Sequence, residues 1–219
     1  MRFLSELRQT ALPERKHTDG EVNMQEQENN KKRDSRELYE WVQALVYSVL
    51  AVVIVFTFVV RLIGVDGSSM EPTLKHGDRL LVLNSLLYDD YQYGDVVVLR
   101  KDTFMRDPIV KRVIAVENQT VDIDFSTGSV YVDGQLLQEE YINELTLTPE
   151  GTTFPLTVPE GSIFVLGDNR NHSSDSRHPD LGTIDTRYVI GKAAFLLFPG
   201  EGERQYLEKR NFGRIGVIP

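Results

Sequence analysis

A long apolar segment constrains this chain more than any other feature of its sequence. From Trp41 to Ile63 the residues WVQALVYSVLAVVIVFTFVVRLI contain a single charge, Arg61. The roughly 20 positions before that charge match the length that an α-helix needs to cross a bilayer core. A buried core helix and a cleaved leader are the alternatives, but the segment lies far from the N-terminus and no small-residue cleavage site follows it. It therefore predicts a transmembrane helix at 41–63.

The charges on the two flanks of this segment predict its orientation. Basic residues cluster at 31–36, whereas Arg61 alone lies near the far end. Because basic flanks stay on the cytoplasmic side, we expect a single-pass protein of the cell membrane with a cytoplasmic N-terminus. Residues 64–219 would then form an extracellular domain.

The residues before the apolar segment are predicted to form a cytoplasmic tail, 1–40. Residues 13–40 contain few side chains that a core could bury, and such a composition predicts disorder. Residues 1–12 place Phe3, Leu4 and Leu7 at near-helical spacing, which fits either a short amphipathic helix on a membrane surface or a frayed terminus.

The overall charge limits the classes of partner. With 24 basic and 33 acidic side chains the formal net charge is -9, which argues against a nucleic-acid-binding protein. The chain has no cysteine, and this excludes disulfides, thiolate nucleophiles and cysteine zinc sites.

The part after the apolar segment is predicted to be mainly β. Short apolar or alternating runs are separated by Gly, Pro, Asn and Asp. These runs are 80–84, 95–100, 109–116, 120–123, 129–134, 162–167 and 192–198. Many short strands without helical periodicity predict an antiparallel β-barrel or folded sheet over 64–219.

Two serines lie in a constrained loop directly after the apolar segment. In GVDGSSMEPTLKHGDRLLV, residues 64–82, they stand between Gly67 and Pro72. Turn formation alone explains such a composition, so the loop by itself does not identify a nucleophile.

A lysine lies within the apolar run PIVKRVIAV, residues 108–116. Strand alternation would put Ile109, Lys111, Val113 and Ala115 on one face and Val110, Arg112, Ile114 and Val116 on the other. Burial lowers the pKa of a lysine and makes its neutral amine available as a base. The alternative is an edge strand whose charges stay in solvent.

A third polar stretch, GDNRNHSSDSR at 167–177, follows the apolar run SIFVL. Its carboxylates and guanidiniums, on Asp168, Asp175, Arg170 and Arg177, are able to pair with one another as a structural network. The loop therefore predicts an organised region without deciding what it organises.

Together these motifs resemble a known family. SSMEPTL, GDVVV, VKRVIAV and GDNRNHSSDSR occur in the order and approximate spacing shared by bacterial type I signal peptidases, the serine proteases with a Ser/Lys dyad. The resemblance runs from about Trp41 to the end of the chain. It implies that Ser69 is the nucleophile, that Lys111 is the general base, and that Ser173 holds the lysine amine.

The resemblance also implies the surroundings of the dyad. Asp168, Asp175 and Arg177 match positions that brace the site through ion pairs, with Arg112 as the expected partner. The oxyanion region would comprise Gly67, Ser68 and Ser69. Some relatives have a serine where this chain has Gly67, so the oxyanion would depend on the Ser69 N–H and on one further amide or a water.

The family further implies a substrate, the signal peptides of exported preproteins, cleaved at A-x-A-like sites without a metal or cofactor. A leader emerging from membrane lipid would lie extended along the site as an added strand. The candidates for its shallow pockets are Val65, Met70, Leu74, Ile109 and Val110.

Three alternatives to this interpretation remain from the sequence. A Ser-His-Asp triad using His172 fits the spacing of the motifs. A tethered β-domain that binds wall, lipid or a protein would use the same residues only as structure. A self-cleaving protein of similar Ser/Lys type would need an internal scissile site and has no reason to carry a membrane anchor.

Overall fold

The computed structural model describes residues 18–202 and 210–219. The chain consists of two compact units, Met1–Val52 and Val53–Pro219. The amphipathic helix expected at 1–12 and the start of the expected tail at 13–17 lie outside the described residues.

The apolar segment forms a helix, but with different bounds from those predicted. Helix α1 spans Thr18–Ile54, and a π-helical turn, Val55–Val59, continues it. Arg36–Val59 is long and apolar enough to cross a membrane, and none of its residues is buried. The predicted end at Ile63 is wrong because Val60–Gly64 is strand β1, which pairs with β2 (Arg79–Asn84).

Residues 18–40 also differ from the sequence prediction, since they are helical where disorder was expected. Their Glu, Gln, Lys and Arg side chains are good helix formers. Arg33 and Glu37, 3.3 Å apart, and Arg36 and Glu40, 3.2 Å apart, form ion pairs one helical turn apart. A segment that continues an existing helix needs no new nucleus, and composition alone does not reveal this advantage.

The second unit is built from antiparallel strands, as predicted. After β1 and β2 these are β3 (Val96–Leu99), β4 (Ile109–Val116), β5 (Thr120–Asp124), β6 (Ser129–Val132), β7 (Gln135–Leu136), β8 (Leu156–Thr157), β9 (Ser162–Leu166), β10 (Ile184–Asp185), β11 (Val189–Phe198) and β12 (Gly216–Val217). One sheet has the order β1-β2-β11-β3-β4-β9-β10, with β12 paired to β11, and a smaller sheet has the order β7-β6-β5-β8. The mainly β, folded-sheet prediction is confirmed, and short apolar runs mark seven of these strands.

Strand β4 connects the three hydrophobic clusters of this unit. Val110 packs in the first cluster, Val113 in the second and Ile114 in the third. A register shift against β9 between Val113 and Ala115 interrupts the alternation of β4. Simple alternation predicted Ala115 on the same face as Ile109. Because of the register shift, Ala115 packs in the third cluster instead.

Candidate active site

The loop between β1 and β2 holds Ser69 half-buried above the first hydrophobic cluster. Met70 and Leu74, each 1% exposed, anchor the loop in that cluster, and the Leu74 N–H donates to the Met70 carbonyl at 2.8 Å. Gly67 has a φ of +89°, a left-handed conformation that favours glycine. The loop is therefore a turn that packing of Met70 and Leu74 holds in place, and this fixes the position of Ser69.

Strand β4 brings Lys111 to the same point. Lys111 is 3% exposed and lies opposite Val97 of β3. Its Nζ lies 2.7 Å from Ser69 Oγ. Since β4 pairs with β3 on one side and with β9 on the other, the alternative of a solvated edge strand is wrong.

Burial changes the acidity of this lysine. It lowers the pKa of Lys111 to about 8, while the negative charges of Asp175 and Glu150 act in the opposite direction. A lysine with such a pKa supplies far more neutral amine at physiological pH than an ordinary lysine does. The pair therefore has the geometry and the protonation behaviour of a hydroxyl with an adjacent base.

Arg112, the next residue on β4, joins this strand to the polar loop. Its Nε donates to Asp168 Oδ1 at 2.9 Å and its Nη2 to Asp168 Oδ2 at 2.8 Å. Its Nη1 also donates to the carbonyls of Gly94 and Pro219. The expected pairing of Asp168 with Arg112 is thus present in the structure.

Asp175 and Arg177 lie beside this pair but bind each other and not Arg112. The Arg177 Nε donates to Asp175 Oδ1 at 2.8 Å and its Nη2 to Asp175 Oδ2 at 2.8 Å. The Ser173 hydroxyl also donates to Asp175 Oδ2, at 2.9 Å. Within the described residues Ser173 makes no hydrogen bond to Lys111. The structure therefore lacks the expected contact that would hold the lysine amine, and the Ser173 hydroxyl binds Asp175 instead.

Asn169, which the sequence did not single out, fastens the serine loop to the polar loop. Its backbone N–H donates to the Ser69 carbonyl at 3.0 Å, and its Nδ2 donates to the Ser68 carbonyl at 3.0 Å. Gly167 stands close by, and a Cβ there would lie 2.6 Å from the Ser69 carbonyl oxygen and would meet the Ser173 side chain. Asn169 lies inside the GDNR motif, which was the available signal.

A third buried pair connects the polar loop to a segment distant in sequence. Arg170 is fully buried, and its Nη2 lies 2.5 Å from Glu139 Oε1. Tyr141 donates its hydroxyl to Glu139 at 2.7 Å and stacks against Arg112, whose guanidinium carbon is 4.1 Å from the ring centre. No pattern in the sequence around Glu139 or Tyr141 indicates these contacts.

Among the histidines that the structure describes, none forms a hydrogen bond with Ser69. His172 is exposed, and in the part of the chain that the structure describes its side chain forms no hydrogen bond. His76 Nδ1 accepts from the Gly67 N–H at 3.2 Å. The structure therefore gives no support to the His172 triad. Among residues 18–202 and 210–219 no cluster of three His, Asp or Glu side chains could hold a metal ion.

The expected pocket residues are mostly core residues. Val65, Met70, Leu74 and Val110 belong to the first cluster and are at most 7% exposed. Ile109 packs against the second cluster. Leu74 lines a cavity of about 250 Å³ with Pro72, Thr73, Tyr141, Leu196, Arg214, Val217, Ile218 and Pro219. Four of the five candidates therefore pack together in the first cluster, and their role as substrate pockets stays a prediction.

Comparison with known proteins gives the family. A family model described as signal peptidase, peptidase S26, matches residues 38–198. Signal peptidase I of Bacillus licheniformis is 35% identical over 80% of this chain and 96% of its own length. Probable signal peptidase I-1 of Synechocystis sp. is 39% identical over 71% of this chain and 79% of its own.

A crystal structure of a signal peptidase I from Enterococcus faecalis V583 is 30% identical and covers 47% of this chain and 96% of its own. Its TM-score of 0.39 is too low to support a comparison of the two folds. The sequence matches are sufficient without it, because the family model spans most of the chain. This chain belongs to the signal peptidase family, peptidase S26.

Proposed function

We propose that this protein is a membrane-anchored type I signal peptidase that removes N-terminal leaders from exported preproteins. Its family membership supports peptidase activity. The observation that carries the mechanism is the 2.7 Å contact between Lys111 Nζ and Ser69 Oγ. A hydroxyl needs such a base within hydrogen-bond distance to become a nucleophile.

The reaction would proceed through an acyl-enzyme. Neutral Lys111 takes the proton of the Ser69 hydroxyl while Oγ attacks the scissile carbonyl carbon. The C–N bond breaks, and the Lys111 ammonium gives its proton to the leaving amine. Water then attacks the ester with Lys111 again accepting a proton, and that proton returns to Ser69 Oγ as the leader is released.

The developing oxyanion would be bound by backbone amides. Within the described residues the Ser69 N–H donates no hydrogen bond, so it is available for this role. A Cβ at Gly67 would meet nothing within 4 Å, which leaves open space in front of the loop. A second amide or a water approaching through that space would complete the oxyanion hole.

The arrangement of chain and membrane supports a leader as the substrate. The apolar helix Arg36–Val59 ends directly before β1 and the serine loop, so an anchored enzyme would work close to the membrane surface. Basic residues at 31–36 favour a cytoplasmic N-terminus and an extracellular catalytic unit. The leader would lie extended beside the segments before Ser69 and Lys111, with small residues at the A-x-A-like cleavage site.

The direct test is cleavage of a preprotein by the detergent-solubilised full-length chain, followed by N-terminal sequencing of the product. We expect a new N-terminus immediately after the A-x-A-like site. Ser69→Ala should abolish the product, whereas Ser68→Ala, the matched control in the same loop, should retain it. If Ser69→Ala forms as much cleaved product as the wild-type protein, Ser69 is not the nucleophile.

A further inference from the structure

Among the described residues around the dyad, the ion pairs leave one carboxylate without a guanidinium of its own. Three buried or nearly buried pairs each cancel their charges. They are Arg112–Asp168, Arg170–Glu139 and Arg177–Asp175. Glu150 is the additional acidic side chain, and its Oε1 lies 3.4 Å from the Arg177 guanidinium, which already binds both oxygens of Asp175.

The Glu150 side chain is held in place and largely removed from solvent. It is 14% exposed. Its Oε2 accepts from the Asp175 N–H at 3.4 Å. Burial and the adjacent charge of Asp175 raise the pKa of Glu150, while Arg177 and His178 act in the opposite direction. Two carboxylates therefore share one guanidinium. Asp175 also accepts from the Gly167 N–H at 3.0 Å, and a Cβ at Gly167 would lie 2.6 Å from the Ser69 carbonyl oxygen, so the group lies close to the serine that contacts Lys111.

The charge balance of this group depends on the state of the lysine. With Lys111 neutral, Glu150, Asp175 and Arg177 together carry one negative charge. Protonation of Lys111 brings the sum to zero. Asp175 and Glu150 both favour the ammonium form, Asp168 acts in the same direction, and Arg177 opposes them. Since Asp168 and Asp175 are each paired with an arginine, Glu150 provides the charge that is not already cancelled.

We propose that Glu150 is a positioning residue of the active site, whose carboxylate, held by Arg177 and the Asp175 amide, keeps Lys111 basic enough to take the Ser69 proton. This inference rests on the proposed Ser69/Lys111 mechanism. Burial alone would make the amine easy to deprotonate but a weak base. The charge of Glu150 offsets part of that effect and so sets the pH range over which the dyad works.

The test compares pH profiles of kcat/KM for the full-length enzyme and its Glu150→Gln variant on a model preprotein. Loss of the carboxylate should move the acid limb to lower pH by about half to one unit. Below that limb, kcat/KM relative to its plateau should rise roughly threefold to tenfold. Glu144→Gln is the matched control, because this exposed carboxylate lies on the same segment. The acid limb of its pH profile should coincide with that of the wild-type enzyme.

A second readout does not depend on activity. In the Ser69→Ala protein with ¹³C-labelled lysine, the titration midpoint of the Lys111 Cε signal should fall when Glu150→Gln is added. Glu150→Asp keeps the negative charge but places it farther from Arg177. The acid limb of its kcat/KM profile should therefore also move to lower pH, by less than in Glu150→Gln. This variant serves as the test if Glu150→Gln proves unfolded in a thermal melt.

The outcomes separate the two proposals. An acid limb that is unchanged in folded Glu150 variants, together with an inactive Lys111→Arg variant, would overturn the role of Glu150 and leave the dyad intact. Near wild-type cleavage by folded Lys111→Arg would overturn the proposed mechanism itself.

Discussion

Asp168 accepts two hydrogen bonds, of 2.9 and 2.8 Å, from the guanidinium of Arg112, and neither side chain is more than 1% exposed. Arg112 directly follows Lys111, so this pair fixes the strand that carries Lys111 to the polar loop. The two charges have almost no contact with solvent, and each therefore depends on the other.

Removing one member of this pair should be costly. Asp168→Ala leaves Arg112 buried without its carboxylate, and we expect the free energy of unfolding to fall by about 3–5 kcal/mol. Urea denaturation of the detergent-solubilised protein measures it. Asp102→Ala, which breaks the exposed pair with Arg100, is the matched control and should have a much smaller effect. A similar loss in both variants would contradict the buried-pair argument.

Replacing Lys111 by an apolar side chain should stabilise the fold at neutral pH. The pKa of Lys111 falls to about 8 in the folded protein from 10.5, so the folded state holds the proton less tightly than the unfolded state. The cost of the charged amine is complete below about pH 8 and is relieved as the pH rises towards 10.5. Lys111→Met removes this cost and should gain up to about 3 kcal/mol at pH 7.

The same variant has a characteristic pH dependence. The stability difference between Lys111→Met and wild type should shrink between pH 8 and 10.5, as the folded wild type loses its proton first. Chemical denaturation at several pH values measures this difference. A constant gap, or a variant less stable than wild type at pH 7, would show that the charged lysine is not penalised by burial.

Membrane topology is open to a direct measurement. The basic residues at 31–36 and the apolar helix Arg36–Val59 lead us to expect the β unit outside the cell. Protease added to intact cells without their wall should digest residues after the membrane segment, from Val60 on, and spare the N-terminal residues. A tag at the N-terminus that is cleaved while the C-terminal part survives would reverse the assignment.

Local patterns predicted much of the fold. The run 109–116 matches β4 residue for residue, because a short and mostly apolar run between turns is typical of a central strand. The end of the membrane helix was wrong by several residues, since Val60–Gly64 has the composition of the helix but pairs with β2. Such pairing is a tertiary effect that the local sequence does not contain.

The site was predictable only where motifs mark it. Ser69 and Lys111 lie in recognisable motifs, and the structure brings their side chains together. Glu139 and Glu150 lie in irregular segments, and their contacts with Arg170 and Arg177 depend on long-range packing. The hydroxyl of Ser173 was expected to bind Lys111, but it donates to Asp175. The same carboxylate also accepts hydrogen bonds from the Gly167 N–H and from Arg177.

The pH dependence of turnover should reflect the lysine. If Lys111 acts as a base in the free enzyme, kcat/KM for a preprotein should fall below a pKa of about 8, in the acid limb of the profile. Stopped assays from pH 5 to 10 determine this limb. A limb near the pKa of an ordinary histidine, and lost in His172→Ala, would assign the base to the imidazole instead.

Preprotein cleavage by Lys111→Arg tests the central claim most directly. Arginine keeps the positive charge and approximate length of Lys111, but its guanidinium does not deprotonate in proteins. A dyad in which Lys111 takes the Ser69 proton predicts that folded Lys111→Arg is as inactive as Ser69→Ala, and that the double variant loses little more. Near wild-type cleavage by Lys111→Arg would show that the residue supplies only charge and would contradict the account.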